Sequence, residues 1–391
     1  MENLLITGDG LWITTAVPQR ALAPSTAVSP SPMSRPALLP GLRPMWRDRH
    51  TVQLGTDPEH AVVLELPHRS AARLLDLLDG SRTERALLAE MARLGMRSAD
   101  VHDVLAALTE RGLVLPAHAL MPAALPAEHR ARLADEAAAL ALRRAESAGT
   151  PARVLQRRGR ARVIVAGSGP TARLIATALL DAGVGKVGTV ASPGAAATLH
   201  DPAEAAAGDD PARQAVTGDG LAGQAATGDA AGQADPRGGS ARGGRAHAAT
   251  LRATDATFRV QVGYAVSTRG TRRRVPHLAL TVRDGVAVVG PLVPASGGPC
   301  LHCLDLHRTD RDPSWPRLAA QLAQAPGGAD PCSAATRLTA AGFAAAEVLA
   351  HLDGGAPSTV GTTVEINGGL PWRRRSWSPH PACDCTRRRR G

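Results

Sequence analysis

The chain has 391 residues, of which 44% are apolar, and this is enough material for two or three domains with buried cores. Its net charge of +10 comes almost entirely from arginine, because Lys186 is the only lysine. Aromatic residues make up 2% of the chain, so little is available to stack on unpaired bases, and composition disfavours a nucleic-acid ligand. No run of 18 apolar residues occurs, and Glu2 and Asp9 precede any basic residue. We therefore expect no membrane span and no signal peptide, and a cytoplasmic location.

The first third of the chain predicts a leader followed by one small domain. Residues 1–35 are rich in Pro, Ser, Thr and Ala without a clear period, which indicates a disordered leader. In residues 36–118, strand-like runs at Thr51–Leu54 and Ala61–Leu66 flank a turn-forming Gly-Thr-Asp-Pro segment. Strands followed by three helices predict a winged-helix domain of the α+β class. The three helical patterns cover Ser70–Leu78, Thr83–Leu94 and Ser98–Arg111.

Residues 119–158 predict a helical linker, in which one long Ala/Arg/Leu/Glu helix begins near residue 126 and continues into a basic connector. Amphipathic periodicity is visible in this linker, but it carries no residue pattern that points to chemistry.

A strand–GxGxxA–helix–strand pattern opens the second domain, which we place at residues 159–391. Arg162–Ala166 is a β-branched run, and the glycine-containing turn after it leads into an apolar helix that ends near Leu180. This is the opening of a Rossmann-type nucleotide-binding unit, in which glycines allow close approach to a phosphate and the helix N-terminus favours negative charge. The candidate cofactor-binding residues are therefore Gly167, Gly169 and Ala172.

A low-complexity segment interrupts this domain. Residues 196–256 are rich in Ala, Gly, Asp and Gln and have little to bury, so we predict a disordered insertion. Regular structure is predicted to return with strands and helices in the remaining chain. The strands are Phe258–Tyr264, His277–Val282, Val286–Val289 and Thr359–Ile366, and the helices are Ser314–Leu322 and Ala334–Leu352.

Four of the five cysteines form two short pairs, Cys300-x-x-Cys303 and Cys383-x-Cys385. Two such pairs are the usual way to build a tetrahedral thiolate site, so we predict a structural Zn²⁺ that closes the part of the chain between residues 300 and 385. A redox C-x-x-C is the alternative, but no thioredoxin-like unit surrounds it. Cys332 is interpreted as a buried or idle thiol. A nucleophile is the alternative, but no His or basic partner is nearby in sequence to lower its pKa.

Polar residues close to the cysteine pairs are given a structural interpretation. His302, Asp305, His307 and Arg308 follow the first pair, and His380 precedes the second. We interpret them as solvated turn residues and helix-capping charges.

The second domain resembles the ThiF/MoeB/HesA adenylyltransferases, which are relatives of ubiquitin-activating enzymes. The resemblance is carried by the glycine turn, by Gly290–Cys303 (GPLVPASGGPCLHC), by Leu304–Arg308 (LDLHR) and by the late cysteine pair. His277–Trp315 and His380–Cys385 resemble the ThiF-like proteins of azole-forming (TOMM) peptide-modification systems, which often carry a PqqD-like domain in front. The resemblance covers about residues 40–390 apart from the insertion.

For the N-terminal domain, the resemblance implies a peptide-binding function. In PqqD-like domains an extended leader peptide adds a strand to the sheet edge and packs against the third helix, a mode called β-augmentation. By resemblance, Ala61–Leu66 and Val101–Leu108 would form this groove. A generic winged helix, including one that binds DNA, is the alternative.

Several parts of the adenylation machinery have no counterpart here. The family's GxGGxG reads GSGPTA, and the second strand ends in Thr189–Ser192 without the acidic residue that holds a ribose. The family's Asn-Leu-x-Arg-Gln segment is missing, and Asp255 is the remaining candidate for a Mg²⁺-binding aspartate. No catalytic residue can be assigned, and the sequence leaves open whether the chain is an enzyme.

Three functions follow from these observations. The first is a protein that binds a precursor peptide and presents it to a partner cyclodehydratase, with most adenylation chemistry lost. The second is an active ATP- and Mg²⁺-dependent adenylyltransferase of a peptide or ubiquitin-like carrier C-terminus. The third is a nucleic-acid binder that uses the winged helix and Arg387–Arg390. Family members often pair, so a homodimer is an expectation by analogy.

Overall fold

The computed structural model describes residues 34–56, 61–66, 70–143, 149–167, 169–190, 198–199, 255–264, 275–324, 331–367 and 369–387. The chain divides into two compact units, residues 1–156 and 157–391, which are described separately. The predicted leader over 1–35 and the predicted insertion over 196–256 lie almost wholly outside the described residues. No helix in the described ranges is both long enough and apolar enough to cross a bilayer.

The first unit combines a three-stranded antiparallel sheet with three helices. The sheet has the order β2-β3-β4, and a separate antiparallel pair joins β1 to β5. The strands are β1 (Pro36–Leu38), β2 (Pro44–Trp46), β3 (Thr51–Leu54), β4 (Val62–Glu65) and β5 (Val114–Pro116). The helices are α1 (Ala71–Leu77), α2 (Glu84–Arg93) and α3 (Ser98–Glu110). The strands and helices predicted between residues 51 and 111 are therefore present.

One hydrophobic core unites this sheet with its helices. Val52 and Leu64 are cross-strand partners on the inner face of the sheet, and each is at most 2% exposed. The inner face of α3 contributes Val101, Val104 and Leu108, spaced three and four residues apart as one helix face requires. Burial of this face holds a short helix that would be marginal alone.

Four further helices follow, where one long helix was expected. They are α4 (Ala117–Leu120), α5 (Ala127–Arg132), α6 (Ala134–Leu142) and α7 (Pro151–Arg160). Leu133, Leu140 and Leu155 share one buried cluster. In a continuous helix, residues 133 and 155 would lie about 33 Å apart and could not meet. The prediction of a single helix is wrong because this shared burial requires the chain to fold back.

The second unit is built on an eight-stranded mixed sheet with the order β13-β12-β11-β10-β9-β6-β7-β8. Strands β7, β6, β9 and β10 are mutually parallel, and the remaining neighbours are antiparallel. The strands are β6 (Arg162–Ala166), β7 (Lys186–Val190), β8 (Thr198–Leu199), β9 (Phe258–Val262), β10 (His277–Arg283), β11 (Val286–Val293), β12 (Thr362–Asn367) and β13 (Gly369–Ser376). The prediction of a mixed α/β fold is confirmed.

Two long helices pack against this sheet and against each other. They are α8 (Pro170–Asp181) and α11 (Ala334–Leu352). Buried alanines of α11, such as Ala340 and Ala344, let it approach closely, and Ile175 and Leu179 of α8 fill the same core. The remaining helices are α9 (Leu301–Arg311), α10 (Trp315–Gln324) and α12 (Asp384–Arg387).

A buried ion pair joins α7 to the C-terminal end of α11. Arg158, 1% exposed, donates from Nε and Nη2 to the two carboxylate oxygens of Asp353 at 2.7 and 2.6 Å. Its Nη1 also donates to the carbonyl of Ala182 at 3.0 Å. Such a bidentate pair satisfies the charge that burial would otherwise penalise. The last residue of the predicted linker, Arg158, is therefore a buried part of the second unit.

Two strands differ from the sequence prediction in a way that matters for the site. Strand β11 continues to Val293, well beyond the predicted end at Val289, and so carries the chain towards Cys300. The basic stretch Arg373–Arg375 belongs to β13, the edge strand that returns the chain from β12 towards the second cysteine pair.

Candidate metal centre and glycine turn

The four paired cysteines come from two elements that are far apart in sequence. Cys300 is the N-cap of α9 and Cys303 lies in its first turn. Cys383 and Cys385 sit at the start of α12, after β13 has brought the chain back. The backbone N–H of Cys383 donates to the carbonyl of His380 at 3.0 Å, which forms a tight turn just before this pair.

The geometry of the four sulfur atoms fits a tetrahedral metal site. The Sγ–Sγ distances are 3.8 Å for Cys300–Cys303, 3.6 Å for Cys300–Cys383 and 3.4 Å for Cys303–Cys385. All four sulfur atoms lie within 4.8 Å of one another. Zinc–thiolate bonds of about 2.3 Å in a tetrahedron place the sulfurs about 3.8 Å apart. The four thiols can therefore hold one metal ion.

The surroundings of Cys300 and Cys385 disfavour ionisation of their thiols. Burial raises the pKa of Cys300 to about 11, and burial also raises the pKa of Cys385. Burial opposes ionisation of Cys303 as well, but hydrogen bonds with the backbone at His380 and Cys300 outweigh it and lower its pKa. A bound metal ion would displace the remaining protons, because the thiolate is the ligand form.

The polar residues beside the cysteines are ordered, which corrects the solvated-turn interpretation. His302, Asp305, His307 and Arg308 lie on helix α9 and not in a turn. His380 is 8% exposed and is therefore buried. This burial could not be predicted from the local sequence, because it depends on how the returning chain packs against α9.

Two of these residues and Asp310 form a second cluster of side chains that could hold a metal ion. They are His307, Asp310 and His380. The Nε2 atom of His307 lies 2.9 Å from the carbonyl of Ser378, and the Nε2 atom of His380 lies 2.9 Å from Oδ2 of Asp310. The two imidazole rings meet edge to face with centroids 4.8 Å apart.

The predicted nucleotide turn is present at the end of β6, but much of its glycine pattern is explained by packing. Gly167 has φ +141°, and a Cβ there would lie 2.6 Å from the carbonyl oxygen of Val262. Ala172 is 1% exposed and belongs to the core between α8 and the sheet. Gly169 has φ +93°, and no described residue lies within 4 Å of a Cβ added there, so packing among the described residues does not account for this glycine.

Asp255 does not lie near this turn. It precedes β9, whereas the glycine turn follows β6, and the two strands run parallel with Val163 beside Phe258. Asp255 is therefore at the opposite end of the sheet from Gly167. A magnesium ion bound at Asp255 could not contact a phosphate at the turn, so this candidate is wrong.

No protein-family model matches the chain, and no curated protein matches it in sequence. The mixed α/β fold is nevertheless similar to that of solved heterocyclase structures. At 14% identity this similarity concerns the fold alone.

Two of these solved structures are heterocyclases. The heterocyclase TruD matches with a TM-score of 0.54 over 90% of this chain and 42% of its own length. A heterocyclase in complex with substrate and cofactor matches with the same TM-score and identity, over 39% of its own length. This chain thus spans about two fifths of the heterocyclases it matches. MccB of E. coli in complex with AMPCPP and MccA matches at 12% identity and a TM-score of 0.48, over 90% of this chain and 99% of that one.

Proposed function

We propose that this chain binds a precursor peptide on its first unit and presents it to a partner cyclodehydratase, without adenylating it. The observation that carries the proposal is the outer edge of β4, with which no described strand pairs. The similarity of the fold to part of the heterocyclases supports the setting of peptide modification. The PqqD-like resemblance supports the mode of binding.

The hydrogen-bond pattern identifies which groups of β4 are available to a peptide. The N–H of Leu66 donates to the carbonyl of His50 at 2.7 Å, on the β3 side. Because backbone groups alternate in direction along an antiparallel strand, Leu64 and Val62 also face β3. The N–H and C=O groups of Val63 and Glu65 therefore face away from β3, where no described strand pairs with them.

The inner side of this edge offers apolar surface. Val62 is half-buried and packs against the core cluster to which α3 contributes. A peptide strand added beside β4 would place alternate side chains towards this surface and towards α3. Backbone pairing would supply affinity, and the apolar surface would select the side chains.

We further propose that the four cysteines bind a structural Zn²⁺. Four thiolates in a tetrahedron suit zinc, and four protein ligands leave no open position for a substrate. Zinc would hold α12 against the start of α9, and so fix the chain on both sides of β12 and β13. This role is architectural and requires no reaction at the metal.

The absence of adenylation rests on the turn and its surroundings. Gly167 and Ala172 have packing reasons for being small, and Asp255 lies at the wrong end of the sheet. An adenylyltransferase would also need groups that stabilise charge as pyrophosphate leaves. ATP–pyrophosphate exchange measured with the precursor peptide is therefore expected to be at background.

Substitution of Val63 tests the binding mode. Val63→Pro removes one outward N–H and leaves the β3–β4 pairing intact, because edge strands tolerate proline at such positions. With a fluorescein-labelled leader segment of a candidate precursor peptide as the probe, we expect Kd from fluorescence anisotropy to rise about tenfold or more.

Val63→Ala is the matched control, because it changes the same side chain and keeps the N–H. We expect its Kd to stay within about threefold of wild type. Circular dichroism should confirm that both variants keep the fold. Equal binding by Val63→Pro and wild type would refute strand addition at β4. Peptide-dependent pyrophosphate exchange would instead establish the adenylyltransferase alternative.

A further inference from the structure

The face of α9 that carries Cys303 continues with residues that hold the returning chain. Cys303, His307 and Asp310 are spaced by four and three residues and therefore lie along one side of the helix. The segment 377–380 lies against this side. It reaches Cys383 only a few residues later.

His380 makes contacts in several directions within this segment. Its Nδ1 accepts a hydrogen bond from the N–H of Ala382 at 3.1 Å, and its Nε2 lies 2.9 Å from Oδ2 of Asp310. Its carbonyl accepts from the N–H of Cys383 at 3.0 Å. A residue held in this way has little freedom to move.

These contacts fix the tautomer of His380 and decide against its use as a metal ligand. Because Nδ1 accepts a hydrogen bond from the backbone N–H of Ala382, the neutral ring carries its proton on Nε2 and donates a hydrogen bond to Asp310. The Nε2 of His307 likewise donates to the carbonyl of Ser378, since a carbonyl can only accept. A metal at these two nitrogens would have to displace both protons and both hydrogen bonds.

We propose that the His380–Asp310 pair is a positioning element of the four-cysteine site, which orients Cys383 and Cys385 for metal binding. The proposal rests on the proposed metal site and is independent of peptide binding. The pair acts through the turn at residues 380–383, and neither side chain contacts the metal. Hydrogen bonds of this kind around metal ligands typically change affinity by about 10- to 100-fold when removed.

Two substitutions of Asp310 separate positioning from ligation. The side chain of Asp310 is 62% exposed, so replacing it should not disturb folding. Asp310→Asn keeps an oxygen that can accept from Nε2 of His380, whereas Asp310→Ala keeps none. We expect the Zn²⁺ affinity of the full chain, measured by competition with a chromophoric chelator, to stay within about threefold for Asn and to fall about tenfold or more for Ala.

A substitution of His380 can keep the hydrogen bond that its Nδ1 accepts from Ala382 and remove the one between its Nε2 and Asp310. In His380→Asn the Oδ1 atom can still accept from the N–H of residue 382, as in a local Asx turn, but the side chain is too short to reach Asp310. We expect its affinity to match that of Asp310→Ala, and a double variant to lose no more than either single one. His302→Gln, a change between the two ligands of α9, serves as the matched control and should bind Zn²⁺ as wild type does.

Cobalt substitution reports the site directly. The Co²⁺-loaded Asp310→Ala chain should keep the thiolate charge-transfer band of a four-sulfur site and release the metal faster to a chelator than wild type. Unchanged Zn²⁺ affinity in Asp310→Ala would overturn the proposal. So would a second metal equivalent in wild type that both Asp310→Asn and Asp310→Ala abolish, because the cluster would then be a ligand set. Failure of zinc binding in all forms, wild type included, would instead overturn the metal site itself.

Discussion

The two motifs that stood out in the sequence, the glycine turn and the cysteine pairs, have different explanations in the folded chain. At the glycine turn, Gly167 and Ala172 are small because Val262 and the helix core press against them. At the cysteine pairs, no packing requirement accounts for four sulfur atoms within 4.8 Å of one another. Packing accounts for Gly167 and Ala172 in the first motif, whereas the second has the geometry of a site that could hold a metal ion. A motif therefore indicates a ligand most strongly when its side chains come together in space and packing does not account for their meeting.

Removal of the metal should have the largest effect and would test this contrast at the cysteine side. Cys383→Ser leaves three of the four thiol ligands, so the proposed metal ion would be held weakly or not at all. We therefore expect the free energy of unfolding to fall by more than about 4 kcal/mol. Cys332→Ser, which removes the cysteine outside the cluster, should change it by less than about 0.5 kcal/mol. Denaturant titrations with and without a zinc chelator measure both. Equal stability of Cys383→Ser and wild type would mean that the cluster has no structural ligand.

A matched pair of glycine substitutions sharpens the other side of the comparison. Gly167 and Gly169 both have positive φ, so either alanine is strained. Among the described residues, a backbone atom lies within 4 Å of an added Cβ at residue 167 but not at residue 169. We expect Gly167→Ala to cost about 1–3 kcal/mol more than Gly169→Ala. Thermal unfolding of the two variants gives the difference. If Gly169→Ala were the more damaging, the open side of the turn would have a contact that packing does not explain.

Acidification should lower the free energy of unfolding by a smaller amount, through two buried histidines of the second unit, His277 and His351. Burial lowers the pKa of His277 and of His351 below the ordinary value of 6.5, so the folded state favours their neutral forms. This contribution is fully present above pH 6.5 and is lost as pH falls below it, because the unfolded chain then binds more protons. We expect the double variant His277→Gln/His351→Gln to lose less stability than wild type between pH 7.5 and 5.5. The four cysteines are the same in wild type and in the double variant, so any contribution from them cancels in this difference. Equal losses of stability would therefore contradict the assignment to His277 and His351.

Local patterns were enough to predict most strands and helices and the set of paired cysteines. The hairpin β10–β11 was visible from its Asp-Gly turn, where Asp284 and Gly285 both have positive φ. Long-range packing was not predictable in the same way. Arg158 looked like one more residue of a basic connector, and only the fold brings Asp353, 195 residues away, into contact with it. His380 looked solvated for the same reason.

The edges of the sheets are not equally open to a further strand. Strand β13 carries Pro371 and three successive arginines, β8 has only two residues, and β2, β1 and β5 each contain a proline. Each of these features discourages unwanted strand addition between molecules. Strand β4 lacks them and carries a single charge, Glu65. At high concentration and without peptide, self-association should therefore begin at β4, and an added peptide ligand should suppress it.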